Sequence, residues 1–284
     1  MDTEKCRILL TTLEKGSMSK AAEILGYTPS GILRAIKSLE EEVSLPLLLR
    51  TPRGVTATKE GEKILPALKE ILRQEQVIRE ISGDVNGLVT GELNIGTFFS
   101  VAANLLPPIL SDFRKKYPGI RINLVQAGNK ELRERLMSHE LDAAIISRQT
   151  YEGPWIPLIR DELVAWLPEN HPLAGLSAFP LKQLEKEPFI DEIPGEETDI
   201  WWLCEKEKLH LQVAFTSVDN YSAYKMVEAG LGISLNNRLM TASWQGKVKV
   251  LPLSPRQTIE LGIAVPETPS PALKKFIEYM RKAV

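Results

Sequence analysis

Cysteine is scarce. Only Cys6 and Cys204 occur in 284 residues, too far apart in sequence to make a disulfide framework. Two free thiols fit a reducing cytoplasm, and each is read as a small core residue. The three histidines, His139, His171 and His210, are dispersed without metal-ligand spacing. No HExxH, GxSxG elbow, P-loop or GxGxxG fingerprint occurs, and the Gly-Leu-Gly at 230–232 is too short to count as one. These absences leave no catalytic residue, metal or cofactor to assign, and an enzyme is not expected. No apolar run reaches the roughly 18 residues of a membrane span, so no membrane partner is expected. The opening MDTEKCRILL mixes acid with base and has no cleavable apolar core, unlike a signal peptide. Excess positive charge is missing too: the formal net charge is -2. Residues 1–65 carry ten Lys and Arg against nine Asp and Glu. Any argument for a polyanionic partner must therefore rest on where the charges sit. What remains, 43% hydrophobic and 25% charged residues, suits a globular chain of about two domains.

The most informative stretch is AAEILGYTPSGILRAIKSLE, residues 21–40, where Gly26, Pro29 and Gly31 interrupt an amphipathic pattern. It reads as two helices. Ser17 or Ser19 caps the first, and Gly26 ends it in a left-handed conformation. Thr28 then caps the second, with Pro29 at its first position, where a missing N–H costs nothing. Ala22 and Gly31 are expected to let the two backbones approach closely, while Ile32, Ile36 and Leu39 pack inward. The opposite face shows Ser30, Leu33, Arg34 and Lys37. A thin polar helix start flanked by two bases suits the DNA major groove. An ordinary helical hairpin with a solvated basic face is the other reading of this stretch taken alone. Glu40, Glu41 and Glu42 would be repelled by phosphate, so that end is expected to point away from a duplex.

Two short β-like runs follow, LLLR and VTAT, joined by the turn TPRG, which predicts a small wing with Arg50 at its base and Arg53 at its tip. Arg53 there suits a phosphate or minor-groove contact. Thr58 caps a further helix whose stripe runs from Ile64 to Ile81, with a bend expected near Pro66. Such a stripe must be buried, either against a second copy of the chain or on the chain's own domain.

From about residue 88, strand-like and helix-like segments alternate: GELNIGTFF, NLLPPILSDFRKKY, IRINLVQAG, KELRERLMSHE and LDAAII. This order predicts a βαβ sheet. ELVAWLP then opens a second lobe, and ELGIAVPE with the terminal helix returns the chain to the first. Ligands in open α/β sheets sit beyond the strand carboxyl ends, near helix N-termini. The first-lobe strands end in Thr97 and Ser100, in Asn129, and in Ser147 and Arg148. Hydroxyls, an amide and a guanidinium suit a small anion such as a carboxylate, with Trp202 as an apolar wall for an aromatic. Ser100 and Asn129 are equally readable as helix caps, Arg148 as a solvated loop residue, and Trp202 as packing.

The run from Leu9 to Leu65 resembles the winged helix-turn-helix of LysR-type transcriptional regulators. The resemblance is carried by the Gly-Ser before the first helix, the Ala-Ala pair, A-I-x-x-L-E, L-x-R before the wing and T-x-x-G opening the linker helix. It continues more weakly through LLPPILSDFRKKYPGIRINL, LDAAII, HPLA and VEAGLGISL. It implies an all-α winged helix-turn-helix domain (1–58), a long dimerising linker helix (59–87) and a two-lobed α/β, periplasmic-binding-protein-like effector domain (88–284). The first lobe would span about 91–162 and 266–284, the second about 163–265. It further implies a ligand-responsive regulator of double-stranded DNA, a homodimer or homotetramer in the cytoplasm. Arg34 matches the recognition-helix arginine, Arg50 and Arg53 the base and tip of the wing. Ser100, Asn129 and Ser147 match effector-contact positions, and Thr198 is the best-matched candidate from the second lobe. Leu33 and Ala35 depart from the family pattern, which leaves the base preference open. The competing expectation is a solute-binding or sensor protein without DNA recognition.

Overall fold

A computed structural model describes all residues except Met1, Arg53, Gly87, Glu197 and Ser243, and all side chains of the rest but that of Thr150. It divides into two compact units, Met1–Gly91 with Arg135–Glu140, and Glu92–Glu134 with Leu141–Val284.

In the first unit, α1 (Thr3–Lys15), α2 (Met18–Leu25) and α3 (Pro29–Val43) precede a hairpin of β1 (Leu48–Thr51) and β2 (Gly54–Ala57), and α4 (Lys59–Val85) follows. Ser17 caps α2, accepting from the Lys20 N–H. Gly26 ends that helix at φ 72°, in the left-handed region that a β-carbon disfavours. Thr28 starts α3 two residues later, its Oγ1 accepting from the Gly31 N–H at 3.1 Å. The interruption is thus a C-cap followed at once by an N-cap. Gly31 does not serve the expected helix–helix approach: a Cβ there would meet Thr28 Oγ1 and Tyr27, its own turn.

Ile32, Ile36 and Leu39 of α3 join Cys6, Ile8, Leu9, Ala22, Leu47 and Leu68 in one aliphatic core. The hairpin begins one residue later than the sequence suggests because Leu47 is spent in that core. It is strapped to the end of α1 by Val55 N–H donating to Gly16 O at 3.0 Å. Gly54 sits at φ 127°, where a Cβ would lie 2.6 Å from Gly16 O, so the strap needs glycine. The acids ending α3 have structural partners as well: Glu40 Oε1 accepts from the Leu47 and Leu48 N–H groups, and Glu42 pairs with Lys5.

Thr58 caps α4 by accepting from the Gly61 N–H and donating to Pro46 O. The helix runs through Pro66 for 27 residues. Its apolar stripe divides. Ile64, Leu65, Leu68, Ile71 and Leu72 pack on the core of the same unit, so this half meets its own domain rather than a second copy. Beyond it, Ile78, Ile81 and Val85 are 66%, 49% and 81% exposed.

The second unit is built on a sheet of order β4-β3-β5-β12-β6-β11-β7, with β10 also on β6. Its strands are β3 (Gly91–Thr97), β4 (Ile120–Gln126), β5 (Ala143–Ser147), β6 (Trp155–Pro168), β7 (Phe179–Pro180), β10 (Ser234–Asn237), β11 (Val248–Ser254) and β12 (Thr258–Ala264). A separate parallel pair, β8 (Pro188–Asp191) and β9 (Gln212–Thr216), is tied in through a bridge from Phe189 to Ile233. Helices α5 (Phe99–Asn104), α6 (Leu106–Lys116), α7 (Asn129–Met137), α8 (Asp199–Glu207), α9 (Asn220–Glu228) and α10 (Pro271–Ala283) complete it. The β6 strand serves both lobes: residues 155–162 pair with β12, and 163–168 with β10 and β11. The β12 strand pairs with β5 on one side and with β6 on the other. The strand predicted through Phe99 stops at Thr97, and a short helix takes over. In α10, Phe276 and Tyr279 meet Phe113 of α6 edge to face at 5.6 and 5.4 Å.

Candidate nucleic-acid interface and effector cavity

On α3 the buried positions Ile32, Ile36 and Leu39 fix which side faces water. Thr28, Ser30, Arg34 and Lys37 lie on the exposed side, and Leu33 is half-buried at its margin. Among the described residues no ion pair neutralises Arg34 or Lys37, so both charges remain for an anionic partner. Arg50 on β1 is exposed, one guanidinium nitrogen 3.2 Å from Met18 Sδ. Arg53 lies outside the described residues. A narrow helix start with unpaired bases beside a hairpin fits a duplex groove and its phosphates.

The second unit encloses a cavity of about 140 Å³ between its lobes. Phe98, Phe99 and Phe189 form much of its apolar wall, with Leu235 and Met240. Its polar lining is unexpected: Asp191, Glu192, Glu196 and Asp199 bring four carboxyl groups, and no described Lys, Arg or His lines it. Burial drives the Glu192 carboxyl up to about 7, offset in part by hydrogen bonds with Asn220, Asn236 and Ser234. Asp199 is likewise held above its ordinary value by burial, against the opposing pull of Ser147 and Asn129.

The sequence-derived effector residues fall into three groups. Asn129, the first residue of α7, and Thr198, the N-cap of α8, line the cavity. Ser100 and Ser147 are fully buried one hydrogen bond behind it: Ser147 Oγ donates to Asp199 Oδ1 at 2.6 Å, and Ser100 Oγ accepts from Asn237 Nδ2 at 3.2 Å. Ser100 is not a cap, because Phe98 holds that position on α5. Thr97 is buried in β3 outside the lining, its hydroxyl turned to Phe98 O. Arg148 is exposed and held away, donating to Tyr151 O and Gly153 O with its guanidinium 5.4 Å from the Trp155 ring. Trp202 packs edge to face on Trp201 at 5.0 Å and does not line the cavity; the wall is made by phenylalanines. The cavity thus lacks the guanidinium expected beside a carboxylate ligand, and carboxyl groups stand in its lining instead.

Sequence reasoning passed over Glu192, which stands in FIDEI, and the pair Asn236-Asn237, which follows ISL. Polar residues ending runs otherwise suited to burial were the available signal. Of the two cysteines expected in the core, Cys6 is fully buried and Cys204 is half-buried, its thiol pushed by burial up to about 11.

Residues 3–62 match the family described as "Bacterial regulatory helix-turn-helix protein, lysR family", and residues 86–284 match "LysR substrate binding domain". The chain is 29% identical to YvbU of Bacillus subtilis, an uncharacterized HTH-type transcriptional regulator, over 99% of this chain and 98% of that protein. Among solved structures, HinK of Pseudomonas aeruginosa, a LysR family transcriptional regulator, is 26% identical with a TM-score of 0.61, covering 99% of this chain and 98% of HinK. A full-length OxyR from Pseudomonas aeruginosa, 22% identical, shares the fold at a TM-score of 0.80, covering 100% of this chain and 97% of OxyR. Both matched segments overturn the alternative of a solute binder without DNA recognition. The chain belongs to the LysR family of transcriptional regulators, non-enzymatic DNA-binding proteins that respond to small-molecule ligands.

Proposed function

We propose that Thr28, Ser30, Leu33, Arg34 and Lys37 present α3 to the major groove of an operator, while Arg50 and Arg53 hold the phosphate backbone. The observation that carries this reading is the pair of unneutralised cations, Arg34 and Lys37, on the exposed side of a helix whose other side is locked in the core. Arg53 enters by sequence position alone. Leu33 offers an apolar contact for a thymine methyl. The protein works in the cytoplasm, which its two unpaired cysteines support.

Operator duplexes selected from a random pool test the reading. Arg34→Ala should weaken binding and flatten the dependence of log K on log salt by about 0.9, the contribution of one neutralised phosphate. An unchanged slope removes Arg34 from the phosphate contacts.

The free half of α4 supports self-association. Ile78, Ile81 and Val85 are large, exposed and spaced along a helix, and burial against a second copy removes them from water. In a dimer the two recognition helices would sit about 34 Å apart, or a multiple of that spacing. Ile81→Glu should shift the protein toward monomer in sedimentation velocity and weaken binding to a two-half-site operator far more than to a single half-site. Unchanged sedimentation would assign the stripe another role. Ligand occupancy of the effector cavity, with Asn129 and Thr198 in its wall, then alters operator affinity by linkage.

A further inference from the structure

We propose that the cavity of the second unit takes a small organic cation, a primary amine with a short apolar body, and excludes carboxylates; this rests on reading the cavity as the effector site. Its described ionisable side chains are all carboxyls. Asp191, Glu192, Glu196 and Asp199 line it, with no described cationic side chain to balance them. Each of the asparagine amides of Asn220, Asn236 and Asn237 already gives at least one N–H to the protein itself. Asn220 and Asn236 donate to Glu192 Oε2, and Asn237 donates to Ser100 Oγ and Asp161 Oδ2.

A second observation is independent of charge. The Asn129 side chain is hydrogen-bonded to the Asp199 carboxyl, which sets its nitrogen on that side. Its carbonyl Oδ1 is left buried without a partner. A buried acceptor without a donor is costly, and a ligand N–H relieves it. An ammonium group brings three donors and a positive charge to this acceptor and the carboxylates around it. Phe98, Phe99 and Phe189 supply rings for the apolar body, and an aromatic face also favours a cation over an anion. A metal ion is a poorer fit, because no group of three or more metal-binding side chains is assembled among the described residues.

The test uses the full chain. Calorimetric titration at pH 7.5 compares n-butylamine and phenethylamine with butyrate, phenylacetate and magnesium, each with and without a selected operator. The amines should bind and the other three should not. Glu196→Gln and Asp199→Asn should each weaken amine binding by about tenfold, the size of one charged hydrogen bond. Binding of neither amine, or amine binding untouched in both variants, overturns the proposal. Carboxylate binding that shifts operator affinity overturns the charge assignment and leaves the effector reading standing. Amine binding lost in both variants, without any shift in operator affinity, upholds the ligand class and instead removes the effector reading.

Discussion

Glu192→Gln should stabilise the effector unit at pH 8 by up to about 3 kcal/mol and leave it unchanged at pH 4. Burial raises the Glu192 carboxyl from 4.5 to about 7 in the folded chain. A raised value means that the folded state holds this proton more tightly than the unfolded state does. The stabilisation is complete below about pH 4.5 and disappears as pH rises through about 7. The two and a half pH units between them correspond to about 3 kcal/mol. Glutamine keeps the neutral form at every pH. Its amide suits the site, because Ser234 Oγ donates to Ile190 O at 2.9 Å and has a lone pair free to accept from the new N–H. All five tryptophans lie in residues 155–244, so their fluorescence in urea reports this unit alone. The informative quantity is the difference between variant and parent, because other carboxyl groups titrate in both. A difference that stays flat from pH 4 to pH 8 would refute the assignment.

Leu68→Ala should remove about 2–5 kcal/mol from the first unit, the range for truncating a buried leucine. Leu68 is 1% exposed, the innermost contact of α4 with the helix-turn-helix core. Little is at hand to refill the hole. Residues 1–91 contain no Phe or Trp, and their one aromatic, Tyr27, is 44% exposed. A domain of this size has roughly 5–15 kcal/mol in total, so the loss is a large share. Calorimetry should show the transition of the first unit falling while the tryptophan-reported transition holds. Equal shifts in both would mean that the units unfold as one.

The helix-turn-helix was legible because local chemistry alone decides it. Gly26, Thr28 and Pro29 act within their own turns, and the spacing of Ile32, Ile36 and Leu39 needs no knowledge of the partner. The wing shifted by one residue because burial of Leu47 is a tertiary fact. So is the division of the α4 stripe, where one continuous pattern meets two different environments. The strand order of the second unit was broadly legible from alternating segments, whereas TFFS changes from strand to helix at Phe98 against its β-favouring composition. The cavity was the least legible part. Its walls come from segments about a hundred residues apart, and the sign of its charge emerges only when Asp191 and Glu192 meet Glu196 and Asp199 beside Asn129. Arg148 stands at a strand end, as a ligand group should, yet its neighbours Tyr151 and Gly153 capture it.

The β6 strand runs unbroken through both ladders of the second unit. At its middle, ladder pairing passes from Glu162, opposite Thr258, to Leu163, opposite Asn237, without a spare peptide between them. Asp161, one residue earlier, accepts from the Leu239 N–H and from the Asn237 side chain, clasping the handover. A strand tied into both ladders at adjacent residues bends as a spring and not as a slack joint. Clamshell closure here would be an elastic twist of small amplitude, and a bound guest would be felt as torque along a continuous backbone.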